Sequence, residues 1–412
     1  MRGREAASQA AGYLLHKAGL LLLFALLLLA AWTGQVPIVT LTSLFLALAL
    51  LSRLWNRLSL NRVSCHQSLS QKRVFPGESA ELTLQVINRK PLPLPWFQLA
   101  QEMPLAFAGD VPLKPSPQPG VGFLCHEGAL LWYRSFRWRC RLTCNRRGYH
   151  RIGPAVFSSG DLFGLYSRSM KVPIQDEILV YPRIFPVERL EIPSLQPAGD
   201  FRTVRRMVQD PTRPTGVRDY RFGDSPRHIH WKASARARGL QVKIFESTTS
   251  FKAALFLCVE SFRTSEALAE EDFELAVSTA ASVAHHVVSR GSPVGLFANS
   301  RAADSGHAVS LAPAGRREQL TLILESLAKV TAQPSEAFES FLDRERGCLT
   351  AGTTLVLIYG RLPESVAARV AALKGSGYRV LVLVVGEGED PEMHEGIEWM
   401  RIRNPHDLMG AG

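Results

Sequence analysis

VRDYRFGDSPRHIHWKASARARGLQVKIFE, residues 217–246, divides two kinds of sequence and decides how the chain is read. Within thirty residues it carries a Gly-Asp turn, two histidines, a tryptophan and a run of arginines, bounded on each side by a strand-like segment. Upstream, residues 61–186 read as β. ELTLQVIN (81–88) alternates apolar and polar residues behind the turn Pro76-Gly77-Glu78, and FRWRCRLTC (136–144) sets Phe136, Trp138, Cys140 and Leu142 opposite its arginines. Turn signals recur at 88–91, 147–148, 153–154 and 159–161, which predicts a small antiparallel sandwich with a proline-rich loop at 109–122. Downstream the period changes. AALFLCVE (253–260), TLVLIY (354–359) and YRVLVLVV (378–385) are continuous apolar runs of the buried-strand type. Helical stretches lie between them: 273–290, 316–330 with Leu320, Ile323, Leu324 and Leu327 on one face, and a third opening at Pro363 and reaching Lys374. That interleaving predicts a mostly parallel sheet covered on both faces. Residues 187–216, with four prolines, read as a linker into the quoted stretch.

The N-terminus differs from both regions. Residues 18–33 and 36–51 contain no charge, and each run, extended to Tyr13 or Trp55, approaches the ~20 residues that cross a bilayer. A second apolar run directly after the first argues against a cleaved signal peptide, which normally leads into a polar mature sequence. The expectation is a transmembrane hairpin over residues 1–60 turning at Thr33–Pro37. Arg2, Arg4 and Lys17 precede it and Arg53, Arg57 and Arg62 come after it, so both ends are expected to face the cytoplasm. Six scattered cysteines without a CxxC pair fit free thiols in a reducing compartment. The net charge of +11 points to nucleic acid, anionic lipid or an acidic partner, and a membrane tether makes lipid headgroups the simplest partner for part of it.

The motif YxxGDxxRxIxWxxxAR, here Tyr220, Gly223, Asp224, Arg227, Ile229, Trp231, Ala235 and Arg236, resembles the DUF58 family of bacterial membrane-anchored proteins. VFPGESAELTLQVINRKPLPLPW and RRGYHRIGPAVFSSGDLFGLY look like the β-domain of that family, so the likeness covers almost the whole chain. The resemblance implies two N-terminal transmembrane helices, an immunoglobulin-like β-sandwich and a von Willebrand factor A-like α/β domain. It also implies a MoxR-type AAA+ ATPase as partner, and no enzymatic activity. The expected domains are thus 1–60, 61–186, a linker and signature motif at 187–252, and an α/β domain at 253–412.

Von Willebrand domains often hold a divalent metal on an Asp-x-Ser-x-Ser loop after the first strand. The corresponding residues are Glu260-Ser261-Phe262-Arg263-Thr264, which keep a carboxylate but lose a serine to phenylalanine and gain a positive charge. Glu260, Ser261 and Thr264 remain as a degenerate metal site, the basis of an alternative reading as a metal-dependent receptor. His228-x-His230 sets two imidazoles on one side of an extended segment, without a third ligand at metal spacing. No GxSxG elbow and no P-loop occur, and no cofactor, small-molecule substrate or catalytic residue is expected. The motif residues Tyr220, Gly223, Asp224, Arg227, His230, Trp231 and Arg236 are read as a clasp between domains, as a dock for an acidic partner or, last, as a nucleic-acid surface. In the clasp, Gly223 makes the turn, Asp224 caps the residues after it, and Trp231 packs beneath. The expected protein is a non-enzymatic adaptor of the bacterial inner membrane.

Overall fold

The computed structural model describes residues 18–109, 112–188, 190, 214–221, 224–237, 239–245, 251–262, 267–350, 352–361, 364–387, 390 and 397–409. The chain divides into two compact units after Tyr181. Two apolar helices open the first, α1 (Ala18–Trp32) and α2 (Val36–Ser59). Among the described residues only α2, with a mean hydropathy of 1.8 over its best window, is long and apolar enough to cross a membrane; α1 is shorter. Pro37 lies in the first turn of α2, where its missing N–H costs nothing. At the other end the buried Lys90 donates from its ammonium to the carbonyl of Ser59, a cation on the negative end of the helix. Burial pulls the Lys90 pKa down to about 8.

Twelve strands come next: β1 (Val63–Leu69), β2 (Arg73–Val74), β3 (Ser79–Asn88), β4 (Leu94–Pro104), β5 (Phe107–Gly109), β6 (Lys114–Pro115), β7 (Val121–Leu130), β8 (Ser135–Cys144), β9 (Gly148–Ile152), β10 (Ala155–Gly160), β11 (Ser167–Val172) and β12 (Asp176–Val180). An antiparallel sheet of order β1-β3-β8-β5 and a second of order β11-β10-β4-β7-β6 share one core. A small β2-β12-β9 sheet completes the unit. The alternation read in β3 is real: Ala80, Leu82, Leu84 and Val86 are fully buried, and the residues between them face outward. Phe97 of β4 joins the two main sheets, stacking on Phe157 at 5.4 Å and meeting the edge of Trp138 at 5.7 Å. The proline-rich segment is not wholly a loop, because β6 pairs with β7 inside it.

In the second unit a ribbon of β13 (Pro214–Asp219) and β14 (Gln241–Phe245) encloses α3 (Trp231–Ala237). The remaining elements are β15 (Lys252–Leu257), α4 (Ala267–Ser289), β16 (Val294–Ala298), β17 (Ser300–Ala302), β18 (Val309–Ala314), α5 (Gln319–Lys329), β19 (Val330–Pro334), α6 (Phe338–Arg346), β20 (Thr353–Tyr359), α7 (Glu364–Gly375), β21 (Arg379–Val385) and β22 (Glu398–Ile402). Six strands form one sheet of order β18-β16-β15-β20-β21-β22, parallel except for β18 at its edge. Starting at β15 this is the doubly wound order 3-2-1-4-5-6, which reverses between β15 and β20. Both faces are covered. Phe256, Leu357 and Val382 pack with Phe338 and Phe341 of α6 and Val370 of α7, and α4 lies against β15 and β16. Burial on two sides explains the unbroken apolar runs.

The strand expected over 253–260 ends at Leu257, and Val259–Phe262 form a single 3₁₀ turn. Helix α4 begins six residues before the expected Phe273.

Candidate functional site

Two regions compete as the site. The first lies where the strand order reverses, at the carboxyl ends of β15 and β20, the place where open α/β sheets usually bind ligands. Here Glu260 and Ser261 are engaged with neighbouring backbone, while the buried Tyr359 hydroxyl at the end of β20 has no hydrogen-bond partner among the described residues. The Glu260 carboxylate accepts the N–H of Phe338 at 2.9 Å and so caps the start of α6. Ser261 donates to the Cys258 carbonyl at 2.7 Å and accepts the Gly360 N–H at 2.9 Å. Phe262 is buried with its ring against Gly360, where a Cβ would stand 2.7 Å from it, and against Phe273 at 5.9 Å. The crevice is filled by the chain's own phenylalanine. Thr264, the third expected ligand, lies outside the described residues. Among the described residues, no three His, Cys, Asp or Glu side chains are grouped to hold a metal.

The second region is the module from β13 to β14. Arg218 grips Asp224 with both guanidinium nitrogens, each at 2.7 Å, and the Asp224 carboxylate also accepts the Arg221 N–H at 2.8 Å. These bonds, Arg218 first, hold the Asp224 pKa at about 2. Asp224 therefore closes the turn backward onto Arg218 and Arg221, and does not cap the residues after it. Gly223 lies outside the described residues.

His228 and His230 do not share an extended strand as expected. Pro226 forces a 3₁₀ turn over Pro226–His228, and His230 is the cap of α3, its Nδ1 accepting the Ala233 N–H at 3.1 Å. The His230 N–H donates to the Gln241 carbonyl at 2.8 Å, so the cap is fastened to β14. Ser234 accepts the Gln241 N–H at 2.8 Å, and the Gln241 side chain donates to Asp219. Ile229 forms a bridge to Val242, and the Tyr220 N–H reaches Leu240. The sequence offers Asp219 as an ion-pair partner for the motif arginines, where the structure sets it against Gln241, and it gives no role to Ser234 or Gln241. The signal these leave is a polar side chain on the enclosed helix and at a facing position of the ribbon.

This wiring turns the larger side chains outward. Trp231 is 69% exposed and does not pack beneath the turn. Val217 and Leu240 are exposed as well, and so are Arg221, Arg227, Lys232 and Arg236. Tyr220 is half-buried. The Trp231 ring and these cations are exposed on a scaffold whose side chains hydrogen-bond to one another.

Residues 216–385 match the family described as protein of unknown function DUF58. The DUF58 match opens inside β13, takes in the exposed module and ends with the last residue of β21. YeaD, an uncharacterized protein of Bacillus subtilis strain 168, is 24% identical over 259 residues, which are 61% of this chain and 60% of YeaD. Solved structures resemble smaller parts. AvmM, which catalyzes macrocyclization in alchivemycin A biosynthesis, aligns with 29% of this chain and 89% of its own at 12% identity and a TM-score of 0.22. A CARDB domain from Pyrococcus furiosus, in complex with di-metal ions, aligns with 29% of this chain and 91% of its own at 10% identity and a TM-score of 0.20. At these values neither carries anything over to the DUF58 segment.

A cleft of about 320 Å³ opens on the outer face of the β1-β3-β8 sheet between His66, Ser68, Thr83, Gln85, Arg137 and Arg139. Its arginines turn to neighbours on the sheet: Arg139 pairs with Glu81 at 3.4 Å, and Arg137 donates to Gln85 at 3.5 Å.

Proposed function

We propose that the protein is a non-enzymatic, membrane-anchored adaptor that presents its α/β region to an acidic face of a MoxR-type AAA+ ATPase or an envelope partner. The observation that carries this reading is that Trp231 and the cations Arg221, Arg227, Lys232 and Arg236 are all exposed on one module locked by its own hydrogen bonds. Tryptophan and arginine are the residues most enriched at the energetic centres of protein interfaces, and a rigid display lowers the ordering cost of binding. Exposed cations beside it favour an acidic partner and speed its approach.

The doubly wound order with one antiparallel edge strand supports a von Willebrand A-like α/β domain, and the paired antiparallel sheets support an immunoglobulin-like sandwich. Helix α2, with α1 before it, supports an inner-membrane hairpin, and the basic residues at its outer ends support a cytoplasmic placement of the β and α/β regions. The test is co-purification of the full chain from detergent extract with the AAA+ ATPase held in an ATP state. The reading expects the ATPase to be retained by the parent and lost by Arg227→Glu/Arg236→Glu. Equal recovery with both, or recovery with neither, counts against it.

A further inference from the structure

One pole of the first unit carries an unusual set of side chains. The register of the five-stranded sheet fixes which loops share that pole. Phe97 pairs with Gly128 on one side and Ser159 on the other, and Gly160 pairs with Ser167. The loops 131–134 and 161–166 therefore leave the sheet at the same end. In the other sheet Val63 pairs with Asn88 and Ile87 with Ser135, so the chain leaving α2 enters at that end too.

Hydrogen bonds tie these segments together. The Asn88 side chain donates to the Leu131 carbonyl at 3.1 Å, its N–H to Arg134 at 2.9 Å, and Arg89 N–H to Arg62 at 3.0 Å, while Lys90 reaches Ser59. On the other side α2 packs against β10 and β11, and Arg168 donates to the Arg57 carbonyl at 3.5 Å. Both loops thus sit beside the last turns of α2.

At this pole the apolar side chains face outward. Leu131, Trp132 and Tyr133 are 57%, 57% and 67% exposed, with Phe136 beside them. Leu162, Phe163 and Leu165 are 63%, 53% and 44% exposed. Between Val63 and Tyr181 the other exposed large apolar side chains among the described residues are Phe75 and Leu105, which lie at the opposite pole. The second loop is not a frayed end. Asp161 is fully buried, and its carboxylate accepts the N–H groups of Phe163, Leu165 and Tyr166 at 3.2, 3.4 and 2.7 Å. A buried carboxylate closes the backbone and leaves the apolar side chains on the outside. Arg53, Arg57, Arg62, Arg89 and Arg134 are all exposed around them.

Apolar loop tips with tryptophan and tyrosine, ringed by arginine beside the end of an apolar helix, match the chemistry of the bilayer interface. We propose that the loops 131–136 and 161–166 insert into the headgroup region of the membrane and seat the β-domain on the lipid surface. The proposal rests on the membrane-anchored reading above and adds a second attachment that fixes the orientation of the domain.

The test uses the full chain in phosphatidylethanolamine–phosphatidylglycerol vesicles. Cys125 and Cys348 are changed to serine, the other four cysteines being buried, and an environment-sensitive dye is placed by Phe163→Cys, Trp132→Cys or Leu105→Cys. The dye at 163 and 132 is expected to emit to the blue and to be quenched by lipids carrying a quencher near the headgroup. The dye at Leu105, an exposed leucine of the opposite pole, is expected to emit as in water. If the protein floats with the vesicles but positions 163 and 132 behave like 105, the loop insertion is overturned and the anchor stands. If the protein does not float with the vesicles, both readings fall. Asp161→Asn, labelled at 163, is expected to lose part of the blue shift while still floating; an unchanged signal would remove Asp161 from the account.

Discussion

The crevice at the ends of β15 and β20 and the module between β13 and β14 face opposite ways. In the crevice Glu260, Ser261 and Phe262 turn inward and serve α6, Gly360 and the core. In the module Arg218, Asp224, His230, Ser234 and Gln241 close on one another, and Trp231 with its cations is left outside. The place where its topology usually binds ligands is packed as a core, and a surface excursion carries the groups fitted for contact.

This contrast can be broken at several points. If Phe262 is core, Phe262→Ala should cost about 3–5 kcal/mol in urea unfolding of the full chain in detergent. A loss below about 1 kcal/mol would mean the crevice is not filled as described. Reversing charge in the module, Arg227→Glu with Arg236→Glu, should leave stability within about 0.5 kcal/mol. It should weaken an acidic partner about tenfold or more, with less salt dependence than the parent. Glu260→Ala should cost about 1 kcal/mol by uncapping α6, and Glu260→Gln less, because the amide oxygen still accepts the Phe338 N–H. Calorimetric titration with Mg²⁺ should show the same absence of heat for Glu260→Ala and the parent; heat from the parent alone would restore the metal-dependent receptor.

The smallest effect is the pH response of the turn. Asp224 is held below its ordinary value of 3.8, at about 2, so its contribution is complete above 3.8 and is lost as pH falls through about 2. Protection of the Arg221 N–H from hydrogen exchange, relative to its intrinsic rate, should fall over that window and should be low at every pH in Asp224→Ala, which removes the acceptor.

Much of the fold was legible because burial leaves a period. β3 and β8 alternate, β15, β20 and β21 are unbroken, and α5 shows its stripe, each pattern arising from one or two covered faces. The stretches 294–315 and 331–346 left no such period, since β16 has only five residues and α6, FESFLDRER, carries more charged than apolar residues. The motif was visible as a cluster of residue types, yet its direction was not. A tryptophan beside a turn reads as packing until the hydrogen bonds of His230 and Ser234 show that α3 is held without it. Likewise Ser159-Gly160-Asp161 signalled a turn, but not that a buried Asp161 would leave Leu162 and Phe163 outside.

The central claim is that the module is built to meet a partner, and Trp231→Ala tests it most directly. Binding of the purified full chain to the AAA+ ATPase would be measured for parent and variant under conditions where both have the same unfolding midpoint. The account predicts a loss of about 2 kcal/mol or more in affinity, roughly thirtyfold, with stability changed by less than about 0.5 kcal/mol. A variant that unfolds more readily than the parent, or that binds equally well, would contradict it.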